Sequence, residues 1–167
     1  KNIVKKFPRG KVVAVDDLSL SVPRNTLLAL LGRNGSGKTT LMKMLSAALT
    51  PTSGDALIYG LSVRTEQDAI RSLLGVCPQF DVYWDKLTGR EHLEIFSALK
   101  GRVGGQRKEE VAARLDDVGL TEAANRFAGN YSGGMQRRLS VALALTGDPA
   151  LLLLDEPTSQ LDPAGAD

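Results

Sequence analysis

The sequence holds little of what most often marks a site by itself. It has one cysteine, one histidine and one tryptophan in 167 residues, and aromatic residues make up only 5% of it. A lone Cys77 cannot close an internal disulfide, which excludes a disulfide-stapled scaffold and suits a reducing compartment. No apolar run is long enough to span a bilayer. An excess of one charge is missing too: 21 Lys and Arg face 19 Asp and Glu, a net +2, which is too mild for nucleic acid as a bulk electrostatic partner. The first residues, Lys1-Asn2-Ile3-Val4-Lys5-Lys6, have neither an initiating Met nor the apolar core of a signal peptide. The chain is therefore expected to begin inside a longer protein. What remains, 43% hydrophobic and 24% charged residues, is the composition of an ordinary globular protein of about one domain.

The patterning is mixed. Residues 12–22 alternate loosely, which predicts short, antiparallel strands. Residues 26–31 form a continuous apolar run, as expected of a strand buried on both faces. After a glycine-rich break, Leu41, Met44, Leu45, Ala48 and Leu49 recur at helical spacing. Strands are expected at 56–59 and 74–77, and a helix at 66–73. Thr88 and Glu91 form a capping-box pattern at the start of a helix carrying Leu93, Phe96 and Leu99. Residues 106–118 are amphipathic, and Ser132 is placed to cap a helix with Met135, Leu139, Ala142 and Leu143 on one face. Residues 151–154 are four leucines. The strand–helix–strand order implies an α/β fold with a mainly parallel sheet. Residues 85–146 read as a helical subdomain inserted into a core made of residues 1–84 and 147–167.

Gly32-Arg33-Asn34-Gly35-Ser36-Gly37-Lys38-Thr39 fits the P-loop pattern in full. Its glycines let backbone N–H groups converge on phosphate oxygens, Lys38 neutralises the β- and γ-phosphates, and the Thr39 hydroxyl can hold Mg²⁺. The following helix adds its positive N-terminal end. The expected phosphate-binding set is Gly32, Asn34, Gly35, Ser36, Gly37, Lys38, Thr39 and Thr40. The leucine strand ends in Asp155-Glu156. This is the Walker B pattern, in which Asp155 serves the Mg²⁺ shell and Glu156 polarises the attacking water.

The order of these motifs resembles the nucleotide-binding domain of ATP-binding cassette (ABC) transporters. Tyr131-Ser132-Gly133-Gly134-Met135-Gln136-Arg137-Arg138 is similar to the family's signature, with Tyr in place of the usual Leu and Met-Gln in place of Gln. In the family this motif caps the γ-phosphate held by a second domain, which implies roles for Ser132, Gly133 and Gly134. Gln79 resembles the Q-loop glutamine that reaches Mg²⁺ and couples to the membrane domain. Ser159-Gln160-Leu161-Asp162 resembles the D-loop, with Asp162 at the dimer contact and Gln160 where a small residue is usual. Phe7 lies where the family places an aromatic against adenine.

Gly75-Val76-Cys77-Pro78-Gln79, Asp85-Lys86-Leu87-Thr88 and Glu91-His92-Leu93 look like the eukaryotic A subfamily, largely lipid transporters. His92 does not match the family's switch histidine, which lies downstream of the D-loop; a packing or solvent-facing role is expected. The resemblance implies ATP and Mg²⁺ as ligands, and as partners a second nucleotide-binding domain and transmembrane domains, at the cytoplasmic face of a membrane. The rival readings are a soluble ABC-type ATPase, a regulatory nucleotide-binding module without turnover, and a small-molecule P-loop kinase. The family's next strand and switch histidine would lie beyond Asp167, so the chain is expected to be a C-terminally truncated domain with little activity alone.

Overall fold

The computed structural model describes residues 2–7 and 12–158. The chain divides into two compact units, Lys1–Ser72 and Leu73–Asp167.

In the first unit, β1 (Ile3–Lys6) pairs antiparallel with β2 (Val13–Leu18), in the register Ile3↔Leu18, Lys5↔Val15 and Lys6↔Val13. Ile3 and Val15 meet Leu41 and Met44 of α1 (Lys38–Leu45) in a small core. The helical periodicity runs on to Leu49, yet α1 stops at Leu45. The Ala47 N–H bonds to Met44 O and the Ala48 N–H to Lys43 O, with Ala47 at φ 54°. That is a Schellman closure, and Leu49 still packs against the core beyond it. β3 (Leu57–Ile58) and β4 (Leu61–Ser62) form a hairpin. Tyr59 and Gly60 both have positive φ there, as a type I′ turn requires. α2 (Gln67–Leu73) follows.

One expected strand is not there. Residues 26–31 pair with no strand among the described residues, and Leu27 and Leu31 are 96% and 93% exposed. An apolar run supplies a face to bury, but a strand exists only where a neighbour accepts its ladder hydrogen bonds.

In the second unit, β5 (Leu74–Cys77) and β6 (Leu151–Leu154) run parallel, in register from Leu74↔Leu151 to Cys77↔Leu154. This is the expected parallel pairing; the two other ladders among the described residues are antiparallel. The helices α3 (Gly89–Leu99), α4 (Gly104–Asp117) and α5 (Gly133–Leu145) lie between them in sequence. Leu93, Val111, Leu115, Leu120, Leu139 and Ala142 form their common core. α5 packs close to β5: a Cβ added to Gly75 would overlap the Ala144 carbonyl oxygen. The Tyr131 hydroxyl donates to Ala123 O at 2.8 Å, tying the entry of α5 to the same core.

Candidate functional site

The phosphate-loop residues lie in the first unit, on the turn that enters α1. Gly35 and Gly37 have φ of 82° and 92°, and the Ser36 N–H closes on Arg33 O at 3.1 Å. Gly37 is the N-cap and offers no side chain; the first turn of α1 holds no acidic residue. The helix start is thus left to backbone N–H groups, the arrangement that suits an anion. A Cβ at Gly37 would overlap the Ala14 carbonyl oxygen, so the loop is pressed against β2 and only glycine fits. Lys38 Nζ donates to Gly32 O at 2.7 Å and Arg33 O at 3.1 Å, which curls the ammonium back across the loop. Thr39 and Thr40 occupy the first turn of α1. Phe7 is 39% exposed, with Lys5 Nζ 5.6 Å from its ring centroid. It presents an open aromatic face that already holds a cation.

The carboxylates lie in the second unit, where β5 and β6 end side by side. Asp155 is buried, and its N–H donates to Cys77 O at 2.9 Å. Glu156 is exposed and left-handed at φ 52°, a conformation rarely held by a non-glycine residue without enforcement. Gln79 Nε2 lies 3.4 Å from Glu156 Oε2. The structure therefore brings Gln79, Asp155 and Glu156 to one end of a two-stranded ladder, although 76 residues separate the first two in the chain (155 − 79). Burial pushes the Cys77 thiol up from its ordinary value despite the nearby Arg137 cation, so it acts as a small core residue.

Ser132 is the N-cap of α5, and its Oγ accepts from the Met135 N–H at 3.3 Å. A hydroxyl that accepts in this way still has its own proton to donate. Gly133 and Gly134 form the first turn of α5. Asp162 and the rest of the D-loop match, Ser159 to Asp162, lie outside the described residues. His92 is fully buried, and its ring stacks on Trp84; of the two roles expected for it, packing is the one realised.

The residue that sequence reasoning passed over is Arg137. It is fully buried on α5 and uses every donor of its guanidinium. Nη1 donates to Pro78 O at 2.7 Å and Asp81 Oδ1 at 2.9 Å. Nη2 donates to Asp155 O at 2.6 Å and Glu156 O at 2.7 Å, and Nε to Pro157 O at 3.3 Å. In the structure Arg137, Ser140 and Ala144 share a helix face and all three are buried, as are Leu139, Ala142 and Leu143 on the opposite, apolar face. With α5 buried on both faces, the charge of Arg137 has to be paired.

Hard oxygen donors stand in each unit: the Thr39 hydroxyl in the first, and the Gln79 amide and the Asp155 carboxylate in the second. Oxygens of this kind suit Mg²⁺, which keeps much of its water and relies on phosphate for the rest. No described helix is long and apolar enough to cross a membrane.

Residues 15–159 match the family model of the ABC transporter domain. The chain is 47% identical over 165 residues to ABC transporter A family member 1 of Dictyostelium discoideum, covering 98% of this chain and 19% of that protein. It is 45% identical over 163 residues to the retinal-specific phospholipid-transporting ATPase ABCA4 of Mus musculus, covering 98% of this chain and 7% of that one. It thus spans less than a fifth of either relative. Among solved structures, the dimeric structure of a bacterial ABC transporter cassette aligns with a TM-score of 0.88 at 26% identity, over 97% of this chain and 75% of that one. A post-hydrolysis dimer of an ATP-binding cassette bound to ADP and Pi aligns at 0.89 and 28% identity, over 98% of this chain and 75% of that one. The P-loop α/β fold expected from the sequence is the fold of these cassettes.

Proposed function

The chain belongs to the ABC transporter family, and we propose that it binds and hydrolyses ATP to drive lipid transport across a membrane. The observation that carries this reading is the loop entering α1. It combines two left-handed glycines, a helix start with no side-chain cap and Lys38 folded across the turn. Such a site holds a polyphosphate by backbone N–H groups and one fixed cation. The lipid substrate rests on the phospholipid-transporting relative.

Residues 1–84 and 147–167 form the ATP-binding core in this reading, and residues 85–146 the helical subdomain. Gly32, Asn34, Gly35, Ser36, Gly37, Lys38, Thr39 and Thr40 bind the phosphates, and Phe7 stacks on adenine. Thr39, Asp155 and Gln79 would hold Mg²⁺, which when bound offsets the charge of the phosphates. Glu156 takes a proton from the attacking water. Ser132, Gly133 and Gly134 close on the nucleotide of a second domain, with Asp162 at that contact. The dimeric neighbours support such a pairing. Transmembrane domains are the other partners, and nucleic acid is not one. The domain works at the cytoplasmic face of the membrane.

The test uses the protein that carries this chain, reconstituted in phospholipid vesicles. Lys38→Ala should abolish ATP binding, and Glu156→Gln should keep binding while turnover falls roughly 100-fold or more. Unchanged binding in the first variant, or unchanged turnover in the second, overturns the corresponding role. ATPase activity indifferent to the phospholipid composition would remove the lipid substrate.

A further inference from the structure

We propose that Arg137 is a positioning residue: its guanidinium locks the turn after β6 to the turn after β5 and so sets where the Glu156 carboxylate stands relative to Gln79. The inference rests on the reading of Glu156 as the base.

Burying a guanidinium is costly, and an apolar side chain fills space at less cost. What an apolar residue cannot do is aim five donors in one plane. Here four of those five bonds go to backbone carbonyls, of Pro78, Asp155, Glu156 and Pro157. These carbonyls lie just past Cys77 and Leu154, where the ladder between β5 and β6 ends. The fifth goes to Asp81, whose carboxylate balances the charge. Gln79 sits between the two gripped positions of one turn, Pro78 and Asp81. Glu156 is itself gripped in the other.

Glu156 needs such a grip. Its left-handed backbone is one that surroundings must hold in place. Its carbonyl is among the oxygens that Arg137 fixes. If that turn relaxes to ordinary φ, the carboxylate swings away from Gln79. Asp155 would be less disturbed, because its N–H remains tied to Cys77 O. The expected signature is therefore loss of turnover without loss of nucleotide binding.

The experiment measures kcat and KM for ATP in the protein that carries this chain. The variants are Arg137→Lys, Asp81→Asn, Glu156→Gln and the double variant Arg137→Lys/Glu156→Gln. A lysine supplies one point charge and cannot span both turns. Arg137→Lys should lower kcat by about tenfold to 100-fold, as a misplacement of about 1 Å does, with KM within about twofold. In the Glu156→Gln background the same change should lower turnover no further, because the group it positions is gone. Asp81→Asn keeps an acceptor for Nη1 but removes the balancing charge; it should lower kcat by about threefold and decides the matter if Arg137→Lys does not fold. Wild-type kcat in Arg137→Lys, a matching rise in KM, or full multiplication of the two defects in the double variant each overturns the positioning role. If Glu156→Gln turns over normally, it is the assignment of the base that fails.

Discussion

The loop that enters α1 and the turn that ends β6 are two ways of holding an unusual backbone in place. Both contain left-handed residues, Gly35 and Gly37 in one and Glu156 in the other. The loop closes largely through its own eight residues, because glycine adopts that geometry freely and Lys38 bonds to carbonyls five and six positions away, and it rests on β2 at Gly37. The turn has no glycine and is held from outside, by an arginine 18 to 20 residues away in the chain. Local geometry of the first kind can be written as a motif. Geometry of the second kind depends on packing that brings α5 under the strand ends.

The largest effect on this comparison should come from the packing side. Leu139 is fully buried in the core beneath α5, and Leu139→Ala should cost about 2–5 kcal/mol by leaving a cavity, read in urea unfolding of the protein that carries this chain. Because α5 carries Arg137, turnover should fall with it; a variant with full stability and activity would show that the helix is not held as described. Next comes the backbone side. Gly37→Ala forces a Cβ into the Ala14 carbonyl oxygen at a left-handed φ, and should cost about 2–3 kcal/mol and weaken ATP binding. Gly35→Ala meets open space and should cost only about 1 kcal/mol. Equal losses at the two glycines would mean that φ alone, and not the contact with β2, sets the requirement.

The smallest effect belongs to a cap that both sequence and structure place at the start of α3. The Thr88 N–H and hydroxyl donate to Glu91 at 2.7 and 2.9 Å, and the Glu91 N–H donates to Thr88 Oγ1. These bonds, led by the one from the Thr88 backbone, hold the Glu91 carboxyl below its ordinary value of 4.5. A carboxyl depressed in the folded state contributes stability above its unfolded value and loses it as pH falls through the folded one. Melting temperatures of wild type and Glu91→Gln should therefore run parallel from pH 7 to 5 and converge below about pH 4.5. A constant gap down to pH 3 would remove the carboxylate from the cap.

Legibility in the sequence followed the same division. The phosphate loop, the Thr88–Glu91 box and the Ser132 cap were readable because each is set by neighbours within a few residues, whereas the apolar runs at 74–77 and 151–154 read as strands and each finds its ladder partner in the other. The end of α1 was not, since a Schellman closure at an alanine carries no glycine to announce it. The run at 26–31 has the pattern of a buried strand without being one, because apolar content reports what could be buried and not what is paired. Arg137 stood in view inside the signature match, yet its partners lie 18 to 59 positions away, and no spacing rule points to them.

The buried histidine has one further consequence. The Trp84 N–H donates to His92 Nε2 at 2.8 Å, and His92 Nδ1 lies 2.7 Å from Thr88 O. An amide can only donate and a carbonyl can only accept, so the ring carries its proton on Nδ1. As the chain has no other histidine, this proton is a built-in spectroscopic label. It should give one downfield, slowly exchanging imidazole resonance in proton NMR, and the ring should resist acylating reagents while the fold persists. Broadening of that one line on adding nucleotide would report motion of the segment between Trp84 and Thr88.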